Sequence, residues 1–259
     1  MRRMIAIVAS WLISGMAVAA PSMATAMAQP AFDGAREDRW AQEVVPGIVV
    51  GDAVFLATPS RAKVLAILTM PAAAPKGGVV VVHGLGVHPD FGMIGGVRAL
   101  LADAGYATLS VQMPVLAAGA TREDYLGTLP AAGERIAAAI ALLRAKGIAR
   151  IAIVAHSVGA TMTDAFLARP GAARIDAWVP VGMLVDFSAP PREPVLDVVA
   201  ESEFPEVAAA VPLRAKRLPR EGCSRSMTIG GADHYFESRQ KELSAAIAAF
   251  LDRVFAGGC

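Results

Sequence analysis

The chain has 259 residues, of which 55% are hydrophobic and 18% charged, with a formal net charge of +1. That balance excludes long disorder and supplies apolar side chains for one large core or two small ones. There is no basic block and no interleaving of basic with aromatic residues, which argues against a nucleic-acid partner.

The first stretch, MRRMIAIVASWLISGMAVAAPSMATAMAQP, has a basic start, an apolar run from Met4 to about Ala20 and small residues before Gln29. That layout is expected of a secretory signal peptide over residues 1–28, cut after Ala26-Met27-Ala28, with Ala17-Val18-Ala19 as the alternative site. An uncleaved anchor is the rival reading, but the run is short for a bilayer span. No later segment has the ~18 uninterrupted apolar residues of a membrane helix, so no stable span is expected after cleavage. Cleavage removes Arg2 and Arg3 and no acid, lowering Lys+Arg from 24 to 22 against 23 Asp+Glu. The expected location is exported and periplasmic. In that oxidising compartment Cys223 and Cys259 are expected to form one disulfide, two free thiols being the alternative.

Residues 29–46 are polar and bounded by prolines, and read as an extended N-terminal arm before a domain spanning 47–259. GIVVGDAVFLAT (47–58) and AKVLAILTMP (62–71) read as two strands joined by a turn at Pro59-Ser60, an antiparallel edge. GVVVVHG (78–84) is a continuous apolar run, as in a strand buried on both faces. FGMIGGVRALLADAGY is helical in spacing and closes on Gly105, YATLSVQMP (106–114) is strand, and TLPAAGERIAAAIALLRAKGI is a second helix stopping at Gly147. Then follow strand RIAIVAHS, helix VGATMTDAFLARPG and strands IDAWVPVGML (175–184) and PVLDVVAE (194–201). FPEVAAAVPLRAKRL is irregularly helical around Pro212, CSRSMTIGG (223–231) is strand, and RQKELSAAIAAFLDRVF (239–255) is a final amphipathic helix. This alternation predicts an α/β fold, a mainly parallel sheet with helices on both faces. The excursions 114–130 and 185–193 are too short for a large lid. Sites in such sheets lie at the carboxyl ends of the strands.

Ser157 stands at such an end, in Ala155-His156-Ser157-Val158-Gly159, between strand and helix. A tight strand-to-helix turn of this kind exposes the hydroxyl and needs small residues two positions before and after. The bland alternative is a serine that merely caps the helix. A nucleophilic serine needs a base, and the chain has four histidines. His156 sits inside the turn and is expected to point elsewhere. His83 belongs to the glycine-rich HGLG turn, where Leu85 could offer a backbone N–H to an oxyanion beside that of Val158. His88 follows in a loop. As metal ligands His83 and His88 lack nearby partners, and no metal or cofactor is expected. His234, in GGADHYF just after the last strand, is placed to act as the base. The acid orienting it is expected to be Glu203, just past a strand end, with Asp186 the rival; Asp197 falls inside its strand, and Asp233 is too close in sequence.

The order Ser157, acid, His234, with HGLG upstream, resembles the alpha/beta-hydrolase superfamily over roughly residues 47–255. More narrowly, HGLGVHPDFGMIGGVRALLADAGYATLSVQMP, AHSVGA, PVLDVVAESE and GADHYF resemble a group of secreted bacterial hydrolase-like proteins of unassigned function. The resemblance implies an eight-stranded sheet and a serine triad of Ser157, His234 and Glu203, with Leu85 and Val158 as oxyanion donors. Two departures stand out: Ala155 for the usual glycine, and Glu for the usual Asp.

Three functions compete on this sequence: a secreted serine hydrolase cleaving an ester, thioester or amide; a non-catalytic hydrolase fold binding an envelope partner; and an acyltransferase using the same triad. The expected partner is a small-molecule or acyl substrate; the sequence specifies no oligomeric state. Leu116, Tyr125, Leu126, Met183, Leu184 and Phe187 are candidates for an apolar acyl pocket, with ordinary packing the simpler reading for each.

Overall fold

In the computed structural model, residues 32–220 and 222–259 are described. The expected signal peptide lies outside them. Eight strands form one sheet: β1 (Asp52–Thr58), β2 (Arg61–Thr69), β3 (Gly78–Val82), β4 (Ala107–Val111), β5 (Ile151–His156), β6 (Ala177–Val181), β7 (Leu196–Ser202) and β8 (Arg225–Asp233). Their order across the sheet is β1-β2-β4-β3-β5-β6-β7-β8. β2 runs antiparallel to both neighbours, and every other pairing is parallel.

Helices cover both faces. α3 (Leu129–Ala145) and α4 (Val158–Leu167) pack on the side to which Val80 and Val82 point; α2 (Gly92–Asp103) and α6 (Gln240–Phe255) pack on the side of Val79 and Val81. Alternate side chains of one strand thus enter opposite cores, which is why the run is apolar throughout. The helical run Asp124–Ala145 is long and apolar enough to cross a bilayer. Here it packs against the sheet through Ala132, Ile136, Ala139, Ile140 and Leu143, all buried.

Two expectations need correction. Residues 34–44 are not extended but form α1 (Gly34–Val44), capped by Asp33, whose carboxylate accepts the Arg36 N–H at 2.9 Å. The polar composition that suggested an arm is also good helix composition. Buried Glu37 fastens α1 to the domain: it lies 3.1 Å from Arg135 and 3.2 Å from Arg61, and accepts the Val115 N–H at 3.2 Å. Burial pushes the Glu37 carboxyl upward and the two arginines oppose that. Second, α5 (Pro205–Arg217) is continuous through Pro212. Pro212 and Ala208, whose carbonyl loses its usual donor, are both exposed, so the missing bond falls on the solvent side of the helix, where its loss costs least.

Cys223 and Cys259 form the expected disulfide, with Cα atoms 5.2 Å apart and a sequence separation of 36. It ties the end of the chain, just past α6, to the residues preceding β8. In the chain-entropy account a loop of that length contributes about 3–4 kcal/mol, less whatever fraying of the terminus removes. Cys223→Ser is therefore expected to unfold at lower denaturant than the wild type by up to that amount. Equal midpoints, with the wild-type thiols shown to be oxidised, would contradict it.

Candidate active site

The four loops expected to carry the chemistry meet at the carboxyl edge of the sheet. Ser157 follows β5 directly, with φ 55° and ψ −123°. A positive φ on a non-glycine residue is strained and persists only where its surroundings enforce it. The enforcement is visible: the Ser157 N–H continues the ladder to the Val181 carbonyl at 2.9 Å, while α4 starts at the next residue. A Cβ on Gly159 would lie 2.3 Å from the His83 carbonyl oxygen, so position 159 must be glycine. Position 155 is different. The Ala155 methyl is buried in the core between Val82 and Pro180, so the turn accepts alanine there.

His234 leaves the end of β8. Asp233 does not orient its ring; Asp233 Oδ1 instead accepts the N–H groups of Tyr235 (3.0 Å) and Phe236 (3.1 Å), which shapes the turn. The His234 Nε2 lies 3.0 Å from the Ser157 hydroxyl, and Nδ1 lies 2.6 Å from Glu203 Oε2. The other Glu203 oxygen accepts the Ala200 N–H at 3.1 Å. The longer glutamate arm is thus folded back on the end of its own strand, which brings its reach down to that of a shorter acid. Both side chains are almost fully buried. Asp186 is elsewhere engaged: it accepts the Phe187 N–H at 2.8 Å and lies 3.3 Å from Arg217. Asp197 is a buried partner of Arg214 at 3.0 Å.

Leu85 stands in the turn after β3, and among the described residues its N–H has no acceptor. Val158 is the first residue of α4, where N–H groups lack intrahelical partners and the helix dipole is positive. His83 supports this corner. Its Nε2 accepts the Met113 N–H at 2.8 Å, so its proton is on Nδ1, which donates to the Gly84 carbonyl at 2.8 Å. That carbonyl belongs to the same peptide as the Leu85 N–H, so the bond fixes the plane of the donor. Burial holds the His83 pKa down at about 3 and keeps the ring neutral. His88 forms no hydrogen bond to Ser157, His234 or Glu203 and stands edge-on to Trp40 and Phe91. Among the described residues no three His, Cys, Asp or Glu side chains are placed to share a metal ion.

Sequence reasoning missed two residues. Gly182, at φ 57°, follows β6 directly, where a Cβ would come within 3.0 Å of the His234 ring and 3.2 Å of Glu203. Its absent side chain is the space in which base and acid meet, and the glycine closing VPVG was the available signal. His156 does point away from the Ser157 hydroxyl, but it lines the cleft and bonds His234.

The cleft over Ser157 has a volume of about 230 Å³ and is walled by Leu85, Phe91, Phe204 and Tyr235. A second, more apolar groove of about 300 Å³ meets it at Arg122 and Val158 and is lined by Tyr125, Leu126 and Leu184. Of the other pocket candidates, Met183 and Phe187 are fully buried in the core, and Leu116 packs against it.

No protein-family model matches the chain, and neither does any curated protein sequence. Solved structures do. A putative alpha/beta hydrolase of unknown function from Agrobacterium tumefaciens is 18% identical, with TM-score 0.63, over 79% of this chain and 97% of the other. An alpha/beta serine hydrolase without a lid from Xanthomonas campestris is 15% identical, with TM-score 0.62, over 80% and 95%. A dienelactone hydrolase from Anabaena variabilis is 19% identical, with TM-score 0.61, over 78% and 96%. At these identities the likeness is one of fold, and the shared fold is that of the alpha/beta hydrolases.

Proposed function

We propose that this alpha/beta-hydrolase-fold chain is a serine hydrolase that cleaves an ester, thioester or amide through Ser157, His234 and Glu203. The observation that carries the reading is the unbroken line from serine hydroxyl to imidazole to carboxylate, at 3.0 and 2.6 Å, opening on a cleft beside the Leu85 and Val158 N–H groups, which have no acceptor among the described residues. In this reading His234 Nε2 takes the Ser157 proton as the oxygen attacks the substrate carbonyl. Glu203 holds the proton on Nδ1 and stabilises the imidazolium that forms. The Leu85 and Val158 N–H groups meet the oxyanion, and His234 returns the proton to the leaving group. Water then repeats the sequence on the acyl-enzyme. The apolar groove beyond Val158 offers space for an acyl arm, with Tyr125, Leu126 and Leu184 as its walls.

Purified protein is expected to turn over short-chain p-nitrophenyl esters and to react covalently with a fluorophosphonate. Folded protein that does neither would move the assignment to a binding role. We further propose that the chain is exported, on the strength of its first 28 residues and the disulfide. Intact mass of protein from an envelope fraction is expected to start at or near Gln29; a full-length chain recovered from the cytosol would contradict export.

A further inference from the structure

The sheet that carries this site has a seam. The β6–β7 pairing rests on Val181 opposite Val198, with an isolated bridge at Trp178 and Val195. The cause is in the sequence. The Trp178 N–H donates to the Pro194 carbonyl at 3.0 Å and the Gly182 N–H to the Val198 carbonyl at 2.9 Å. The residue midway is Pro180, which has no N–H, so the rung toward Leu196 is missing. A proline inside a central strand is rare because it deletes a ladder bond. The proposed nucleophile lies on one side of the seam, at the end of β5. The proposed acid and base lie on the other, after β7 and β8. A Ser–His distance that must hold to a few tenths of an ångström is therefore built across the weakest joint in the sheet.

His156 crosses that joint. It is the residue before Ser157, and its Nε2 lies 2.9 Å from the backbone carbonyl oxygen of His234. A carbonyl only accepts, so Nε2 carries the proton and donates it. Two consecutive residues thus grip the same histidine: Ser157 meets its ring and His156 its main chain. The two imidazoles are 4.9 Å apart, and the Phe204 ring lies 4.4 Å from that of His234. Arg214 also crosses the seam, donating to the Met183 and Val185 carbonyls, but it holds the loop after β6 and not His234.

We propose that His156 is a positioning residue for the base, a clasp across the β6–β7 seam that sets the Ser157–His234 distance through its Nε2–H. The role rests on the hydrolase reading above. Burial lowers the His156 pKa to about 4, with the neighbouring His234 contributing, so the clasp stays neutral while the base changes charge. A charged ring there would oppose the imidazolium on which the proposed chemistry depends.

His156→Leu keeps the bulk and loses the donor; His156→Gln keeps an N–H at similar reach. The Leu variant is expected to lose roughly 10- to 100-fold in kcat, the scale of a misplacement of about 1 Å, with KM changed by less than about 3-fold. The Gln variant is expected to recover most of that loss. A Leu variant as active as wild type, or Leu and Gln variants equally impaired, would overturn the proposal. Nitrogen NMR of the wild type needs no variant to fold: His156 is expected as the neutral Nε2–H tautomer from about pH 6 to 9. The Nδ1–H tautomer would overturn the clasp. Fluorophosphonate labelling of wild type separates the two failures. A silent wild type sinks the hydrolase reading and the role built on it. A labelled wild type with an unaffected Leu variant sinks the role alone.

Discussion

Ser157→Ala is expected to give a folded protein that takes up no fluorophosphonate and loses ester turnover by up to about 10⁶-fold. The fold should survive because little of it depends on the hydroxyl. Among the described residues the oxygen's one side-chain partner is His234, and the backbone that enforces the positive φ is held by the Val181 carbonyl and by the close approach of Gly159 to His83. Alanine meets the same backbone strain as serine, so the cost in stability is that of one modest hydrogen bond, about 1 kcal/mol. The chemistry has no such reserve. Among the described cleft-lining side chains, no other hydroxyl is hydrogen-bonded to an imidazole. Residual turnover within about tenfold of wild type would mean that the reactive group is something else. Labelling that persists in the alanine variant would say the same of the probe.

Most of the sheet was legible because each strand of an α/β fold carries its own record: a short β-branched run ending in glycine or a polar residue, as in GVVVVHG and RIAIVAHS. What failed was composition without periodicity. Residues 34–44 offered charge and a flanking proline, which fit an arm as well as a helix; the deciding fact is that Glu37 finds Arg61 and Arg135, far along the chain. Pro212 suggests an irregular helix because a proline removes a bond, but the cost depends on whether the freed carbonyl is open to solvent, and α5 runs through it. The site divides in the same way. Ser157, HGLG and His234 stand in fixed chain order at strand ends, so order alone brought them forward. Gly182, His156 and the seam at Pro180 act by what they touch across the sheet, and local sequence carries almost none of that. The acyl-pocket candidates show the limit most plainly. Leu184 and Met183 are neighbours, yet the first lines the groove and the second is sealed in the core.

Glu203→Gln is expected to cut turnover by roughly 10²- to 10⁴-fold, while Asp186→Asn changes it little. The sequence left these two acids in contention, since both follow strand ends near His234. In the structure the Glu203 carboxylate lies 2.6 Å from the His234 Nδ1, whereas Asp186 is turned to Arg217 at 3.3 Å and to the Phe187 N–H at 2.8 Å. Glutamine is nearly the same size, so packing around Gly182 should hold. The amide could still accept from Nδ1 through its oxygen, but it would bring no negative charge to balance the imidazolium. If its NH₂ turned toward the ring instead, Nδ1 would have to accept and the proton would move to Nε2, where the base could no longer receive one from Ser157. Either outcome lowers kcat more than KM, because the lost interaction is made as charge develops. Glu203→Asp is the informative companion. It keeps the charge but shortens an arm that now folds back to the Ala200 N–H, so it should retain more activity than glutamine and less than wild type. A kinetic series in which Asp186→Asn collapses and Glu203→Gln stays near normal would hand the role to Asp186, and would require the loop after β6 to release Arg217 and swing toward His234 during turnover.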